Sequence, residues 1–159
     1  MKITLFCIGK LKESYWKDAV AEYAKRLSPY AEFSLIEFPD YPSKEGASQA
    51  EMDNVKEKEG KPILEKLKPS DYLIALDLGK KQLDSVAFSS YLQNAFSLSG
   101  SHLFFVIGGS LGLSDSLKKR ANDSLSLSNL TFPHQLTRVI LLEQLYRAFR
   151  IANNQPYHK

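Results

Sequence analysis

Two alternating periodicities constrain this chain's fold more than any other feature. Four short apolar runs, KITLFCI (2–8), AEFSLIEF (31–38), DYLIALDL (71–78) and HLFFVI (102–107), have the β-branched and aromatic content of buried strands. Between them the apolar spacing becomes helical. Trp16, Ala19, Val20, Tyr23 and Leu27 share a face in 13–27, where Ser14 is the expected N-cap. Phe88, Tyr91, Leu92, Ala95 and Phe96 do so after a cap at Asp84 or Ser85. Strands alternating with helices predict an α/β fold whose mostly parallel sheet is flanked by helices. At 159 residues, one domain spanning 1–159 is expected.

Several local signals refine this layout. PDYPSKEGASQ (39–49) reads as a loop. Residues 49–67 carry Met52, Val55, Ile63, Leu64 and Leu67 at helical spacing, but Pro62 predicts a kink or break near Gly60. A turn is expected at GKK (79–81), a short helix over 117–121, and a brief strand at SLSLS (124–128). Pro133, suited to a first turn, opens a long helix reaching about Ile151.

Composition excludes several classes. No stretch approaches the ~20 apolar residues of a membrane span. The first apolar run gives way at once to GKLKE and has no small-residue cleavage site, so no signal peptide is expected and the cytoplasm is the expected compartment. Cys7, the one cysteine, lies inside that run and reads as a small buried hydrophobe. His102, His134 and His158 lack zinc spacing, so no metal is expected. The net charge of +3 is unevenly spread. From Leu111 onward seven basic residues face three acids, whereas the rest holds fourteen basic and fifteen acidic. The whole surplus therefore lies in the last third, which points to a polyanion such as RNA or, more commonly for such a bias, to a solvated basic face.

In parallel α/β sheets ligands bind beyond the carboxyl ends of strands. Three loops are expected there, after Leu76, Ile107 and Ser128. The second begins FFVIGGSLGLS (104–114). Its G-G-x-x-G spacing is neither the dinucleotide fingerprint nor a P-loop, which needs Lys-Ser/Thr after its glycines. Two readings stay open: a tight turn at positive φ, or a close backbone approach to a ligand. The helix in SNLTFPHQLTRVILLEQLYRAFR (128–150) is apolar enough for a core yet carries Arg138, Glu143, Gln144, Arg147 and Arg150. Arginine in so apolar a setting points to burial against a partner, or to one wet face.

GKLKESYWKDAVAEYAKRLSPY, FFVIGGSLGLS, LSLSNLTFPHQLTRVILLEQLYRA and the closing PYHK together resemble the bacterial 23S rRNA pseudouridine N3-methyltransferases. These form family H of the SPOUT class, whose C-terminal part is a trefoil knot. The resemblance runs in order along essentially the whole chain, and is most specific at Thr131–Ala148 and the terminal YHK. Pro62 departs from the family's pattern. The resemblance implies S-adenosylmethionine (SAM) as methyl donor, a homodimer, and pseudouridine 1915 in helix 69 of 23S rRNA as substrate in the assembled ribosome. Carried onto this sequence, it implies a donor site at Leu76, Gly108, Gly109 and the run Leu127, Ser128, Asn129, Leu130, Thr131 and Phe132.

The acceptor chemistry then suggests roles. N3 of pseudouridine carries an imide proton that must leave, so a cation and a neutral imidazole are needed near it. Arg138 and His158 are the candidates, with Tyr157 stacking on or orienting the base. His134 reads as structural or pocket wall, and Tyr146 as core or dimer interface. Arg147 and Arg150 read as contacts to phosphate or a neighbouring subunit. Lys118, Lys119 and Arg120 read as exposed, with general attraction for RNA. The rivals are a non-catalytic ribosome- or RNA-binding module, and a small-molecule nucleotide enzyme with an unusual glycine loop.

Overall fold

A computed structural model describes all residues 1–159. Strands β1 (Lys2–Ile8), β2 (Glu32–Phe38), β3 (Tyr72–Lys81), β4 (His102–Ile107) and β5 (Asp123–Leu125) form one sheet in the order β2-β1-β4-β3-β5. Every neighbouring pair is parallel. Helices α1 (Ser14–Leu27), α2 (Gln49–Lys66), α3 (Ser85–Leu98), α4 (Asp115–Arg120) and α5 (His134–Ala152) each follow the strand of the same number. The alternation in the sequence is thus the alternation in space.

Both faces of the sheet are covered, which explains why its strands read as continuous apolar runs. Along β1, Ile3, Leu5 and Cys7 enter one core while Phe6 and Ile8 enter the other. The first core joins α1, α3 and α5 and holds 22 buried residues; the second, under α2 and α4, holds 10. The larger layer therefore carries most of the apolar burial, and α5 lies within it. Cys7 is fully buried, and burial pushes its thiol up to about 12, so it is a core residue and no nucleophile at neutral pH. No helix is long and apolar enough to cross a membrane.

The structure departs from the expected layout at four places. No break occurs near Gly60: α2 runs unbroken through Pro62. Tertiary packing overrides the lost hydrogen bond, because Glu59, Gly60 and Ile63 are buried, with Gly60 against Ser114 and Leu117. α1 begins at Ser14, leaving Glu13 at the cap without a side-chain hydrogen bond. GKK is no simple turn; it belongs to β3, where Leu76 and Lys81 both register with Leu125 and residues 77–80 bulge outward. β5 begins at Asp123 and stops at Leu125, so most of SLSLS is already loop. Asp84 does cap α3, accepting from Ala87 N at 2.7 Å.

Candidate active site

Beyond the carboxyl ends of β3, β4 and β5 three segments meet around one cavity of about 340 Å³. They are the start of the β3 bulge (76–78), the glycine loop (107–113) and the run after β5 (126–132). These are the three loops expected from the sequence. His134 and Thr137 from the start of α5, and Lys118 from α4, complete the wall.

The glycine loop is shaped by close approach as well as by turn geometry. Gly108 is buried at the end of β4, and a Cβ there would lie 2.7 Å from the carbonyl carbon of Gly112 and 3.0 Å from Leu113 N. Positive φ belongs to Gly112 (+87°), whose N–H closes the turn on Gly109 O at 3.0 Å. The turn reading holds at Gly112, and the close approach at Gly108 is to the loop's own backbone. At Gly109 a Cβ would stand 3.3 Å from Glu59 Oε2. Glu59, 3% exposed, accepts from Tyr41 N at 3.0 Å, and burial raises its carboxyl above the usual range.

The run after β5 is held by its own serines. Ser126 Oγ donates to Ser128 O at 2.8 Å, and Leu130 N donates to Ser128 Oγ at 3.0 Å. Of the nine donor-site residues expected from the resemblance, Leu76, Gly108, Gly109, Leu127, Ser128, Leu130, Thr131 and Phe132 line the cavity; Asn129 does not. The volume falls within the range of small-molecule sites. A flat adenine needs amides and carbonyls at short range, and loops without side chains at Gly108, Gly109 and Gly112 leave them accessible. The residues present therefore fit the methyl donor.

The acceptor-side candidates are not gathered in one place. Arg138 has no exposed surface. Its Nη1 donates to Glu37 Oε2 at 2.7 Å and its Nη2 to Gly9 O at 2.8 Å, while its Nε has no partner. Glu37 Oε2 also accepts from Leu11 N at 2.7 Å, so one carboxylate and one guanidinium tie α5 to the ends of β1 and β2. Tyr157 and His158 lie beyond the end of α5, in the tail that folds back on it. Tyr157 Oη donates to Glu143 Oε1 at 3.1 Å, its ring meets Tyr146 edge-on at 4.9 Å, and Arg147 sits 4.6 Å over it. Burial and the Glu143 carboxylate raise the Tyr157 phenol. His158 Nδ1 is 3.3 Å from Arg147 Nη1, and its side chain lines a second cavity beside the first. Ser126, Leu127, Ser128 and Phe132 belong to both cavities and form the wall between them.

Other residues proved to belong to the site. Lys118 is exposed, as expected, and also faces the cavity, pairing with Asp77 at 3.5 Å. Arg120 is a structural tie, its Nη2 donating to the carbonyls of Lys68 and Asp71 at 2.8 Å each. His134, read as pocket wall, is that. Burial and the Arg138 charge hold its imidazole below the ordinary value of 6.5. Gly9 and Glu37 carried no motif, and only the fold brings them to Arg138.

A parallel sheet whose carboxyl-end loops form a glycine-lined pocket defines a nucleotide- or cofactor-dependent α/β enzyme. A family model described as predicted SPOUT methyltransferase matches residues 1–158, and the chain belongs to that family. It is 52% identical over its full length, and over all of the relative's, to ribosomal RNA large subunit methyltransferase H 1 of Clostridium perfringens strain SM101. Proteins named ribosomal RNA large subunit methyltransferase H from Clostridium acetobutylicum and Clostridium beijerinckii are 52% and 48% identical, again end to end. A Legionella pneumophila structure described as a methyltransferase with the cofactor SAM bound shares the fold, at TM-score 0.51 and 12% identity. That alignment covers 94% of this chain and 66% of the other.

Proposed function

We propose that the protein transfers a methyl group from SAM to N3 of pseudouridine 1915 in helix 69 of 23S rRNA, on the assembled ribosome in the cytoplasm. The convergence of three carboxyl-end loops on one glycine-lined cavity carries this reading. The full-length relatives named as large-subunit rRNA methyltransferases support the substrate class. The basic surplus of the last third suits a polyanion.

The backbone of Gly108, Gly109 and 127–132, with Leu76, would hold the donor. When bound, SAM supplies an electrophilic methyl on a sulfonium. The chain's share of catalysis is then positioning and proton removal. Tyr157 orients the pyrimidine and the imidazole of His158 takes the N3 proton. Arg138, wholly enclosed and paired, does not touch the base and acts through what it holds. His158 lies across the 126–132 wall from the donor cavity of its own subunit, with Tyr157 beside it in the tail. A homodimer in which a second chain's tail completes the site reconciles these positions. The C-terminal part is proposed to thread a trefoil knot. In support, Asn122 N donates to Leu73 O and Ser126 N to Lys81 O, both at 2.8 Å, laying β5 and its exit against the β3 bulge.

Mass spectrometry of 23S rRNA from a deletion strain tests the assignment. Loss of the methyl mark at that pseudouridine, restored by the intact gene, is expected; an unchanged mark overturns it.

A further inference from the structure

Three ionisable side chains line the donor cavity: Asp77, Lys118 and His134. Asp77 and Lys118 face one another at 3.5 Å and largely cancel. The charge of the cavity near neutral pH is therefore set by His134. A methyl donor of the sulfonium class is cationic at its reacting centre, whereas its demethylated product, a thioether, is not. A protonated imidazole in this wall repels the one and not the other.

The position of His134 is built, not incidental. It begins α5, one helical turn before Arg138. Its Nε2 lies 3.9 Å from where a Cβ on Gly9 would stand, so the ring rests over the Gly9 backbone. Gly9 has φ +93°, and its carbonyl is held by Arg138 Nη2 at 2.8 Å. The same guanidinium is fixed by Glu37, which also holds Leu11 N. The clamp thus fixes both the platform and the helix that carries the ring. We propose that His134 is the donor-selectivity residue of this cavity, and that Arg138 is a positioning residue that holds it there through the Gly9–Glu37 clamp.

The charged groups around the imidazole have known signs. Arg138 on α5 and Lys12 on the β1–α1 loop disfavour the imidazolium, and Asp40 after β2 favours it. Burial outweighs these and also disfavours it, so the neutral ring persists to below pH 6.5. Donor binding is then unimpaired above that pH and weakens relative to product binding as pH falls through the titration of His134. Removing the Arg138 charge moves that loss to higher pH.

This inference rests on SAM being the ligand of the cavity, and the test separates the two claims. SAM and its demethylated product are titrated calorimetrically into the dimeric wild type and into His134→Gln at about pH 7.5 and about pH 5.5. Wild type is expected to lose about threefold in SAM affinity at the lower pH while the product changes by less than about 1.5-fold. His134→Gln is expected to bind both ligands with little pH dependence, which also discounts His158 and His102. Imidazole NMR of Arg138→Met is expected to show His134 titrating at higher pH than in wild type, whereas Arg138→Lys, which keeps the charge, leaves it near the wild-type position. Parallel pH dependence of the two ligands in wild type overturns the selectivity role, and an unmoved His134 titration in Arg138→Met overturns the positioning role. Failure of both ligands to bind at the higher pH overturns the donor reading itself.

Discussion

The donor cavity and the C-terminal tail are built from opposite materials. The cavity's loops are shaped by backbone: a glycine at a strand end, a turn closed by Gly112, and a run braced by Ser126 and Ser128. Its shape is set by buried strand ends and is complete within one chain. The tail is side-chain chemistry on a frame with exposed neighbours, where Tyr157, His158, Arg147 and Glu143 satisfy one another. Backbone recognition is rigid but permits no substitution at its closest approach. Side-chain recognition tolerates change but needs something to arrive and reorder it. The difference fits the proposed division, with donor binding in the first region and acceptor handling in the second.

The largest effects come from breaking either region at its centre. His158→Gln is expected to lower turnover on ribosomes by about a hundredfold or more while leaving the SAM dissociation constant within about twofold. Equal losses in binding and turnover would erase the distinction between the regions. Gly108→Ala places a methyl 2.7 Å from the Gly112 backbone, and calorimetry should show donor affinity reduced about a hundredfold with the circular dichroism unchanged. Wild-type affinity would mean that the close approach is not part of the donor site.

Smaller effects sharpen the comparison. Glu37→Ala strips the partner from a fully enclosed guanidinium; since the Glu37 side chain keeps 30% of its surface, a loss of only about 2 kcal/mol is expected in urea denaturation. No loss would show that the clamp is idle. Lys118→Met, at a rim pair that water screens, is expected to change donor affinity less than about threefold by calorimetry. A larger change would add Lys118 to His134 as a side chain that the donor senses.

The sequence made the sheet legible because the strand centres of β1, β3 and β4 are buried on both faces, giving apolar runs that no loop imitates. It misled at Pro62, where propensity opposed a helix that Gly60 and Ile63 secure by packing. The β3 bulge was hidden because Gly79, at φ +74°, looks like any turn glycine. At the site, the cavity loops followed from their places after strands, and the resemblance supplied which residues line them. Arg138 was legible as unusual but not as enclosed. Its partners lie 101 and 129 residues away, and only the pairing of β1 with β2 brings them together. Asp77 with Lys118 was equally silent, since an ion pair between a bulge and a separate helix has no local pattern.

Amide chemical-shift mapping with the demethylated donor tests the division of labour most directly. The account predicts perturbations concentrated at 76–78, 107–113 and 126–134, with Tyr157 and His158 little changed until RNA is added. Shifts centred on Glu143, Arg147 and the tail, with the glycine loop silent, would contradict it.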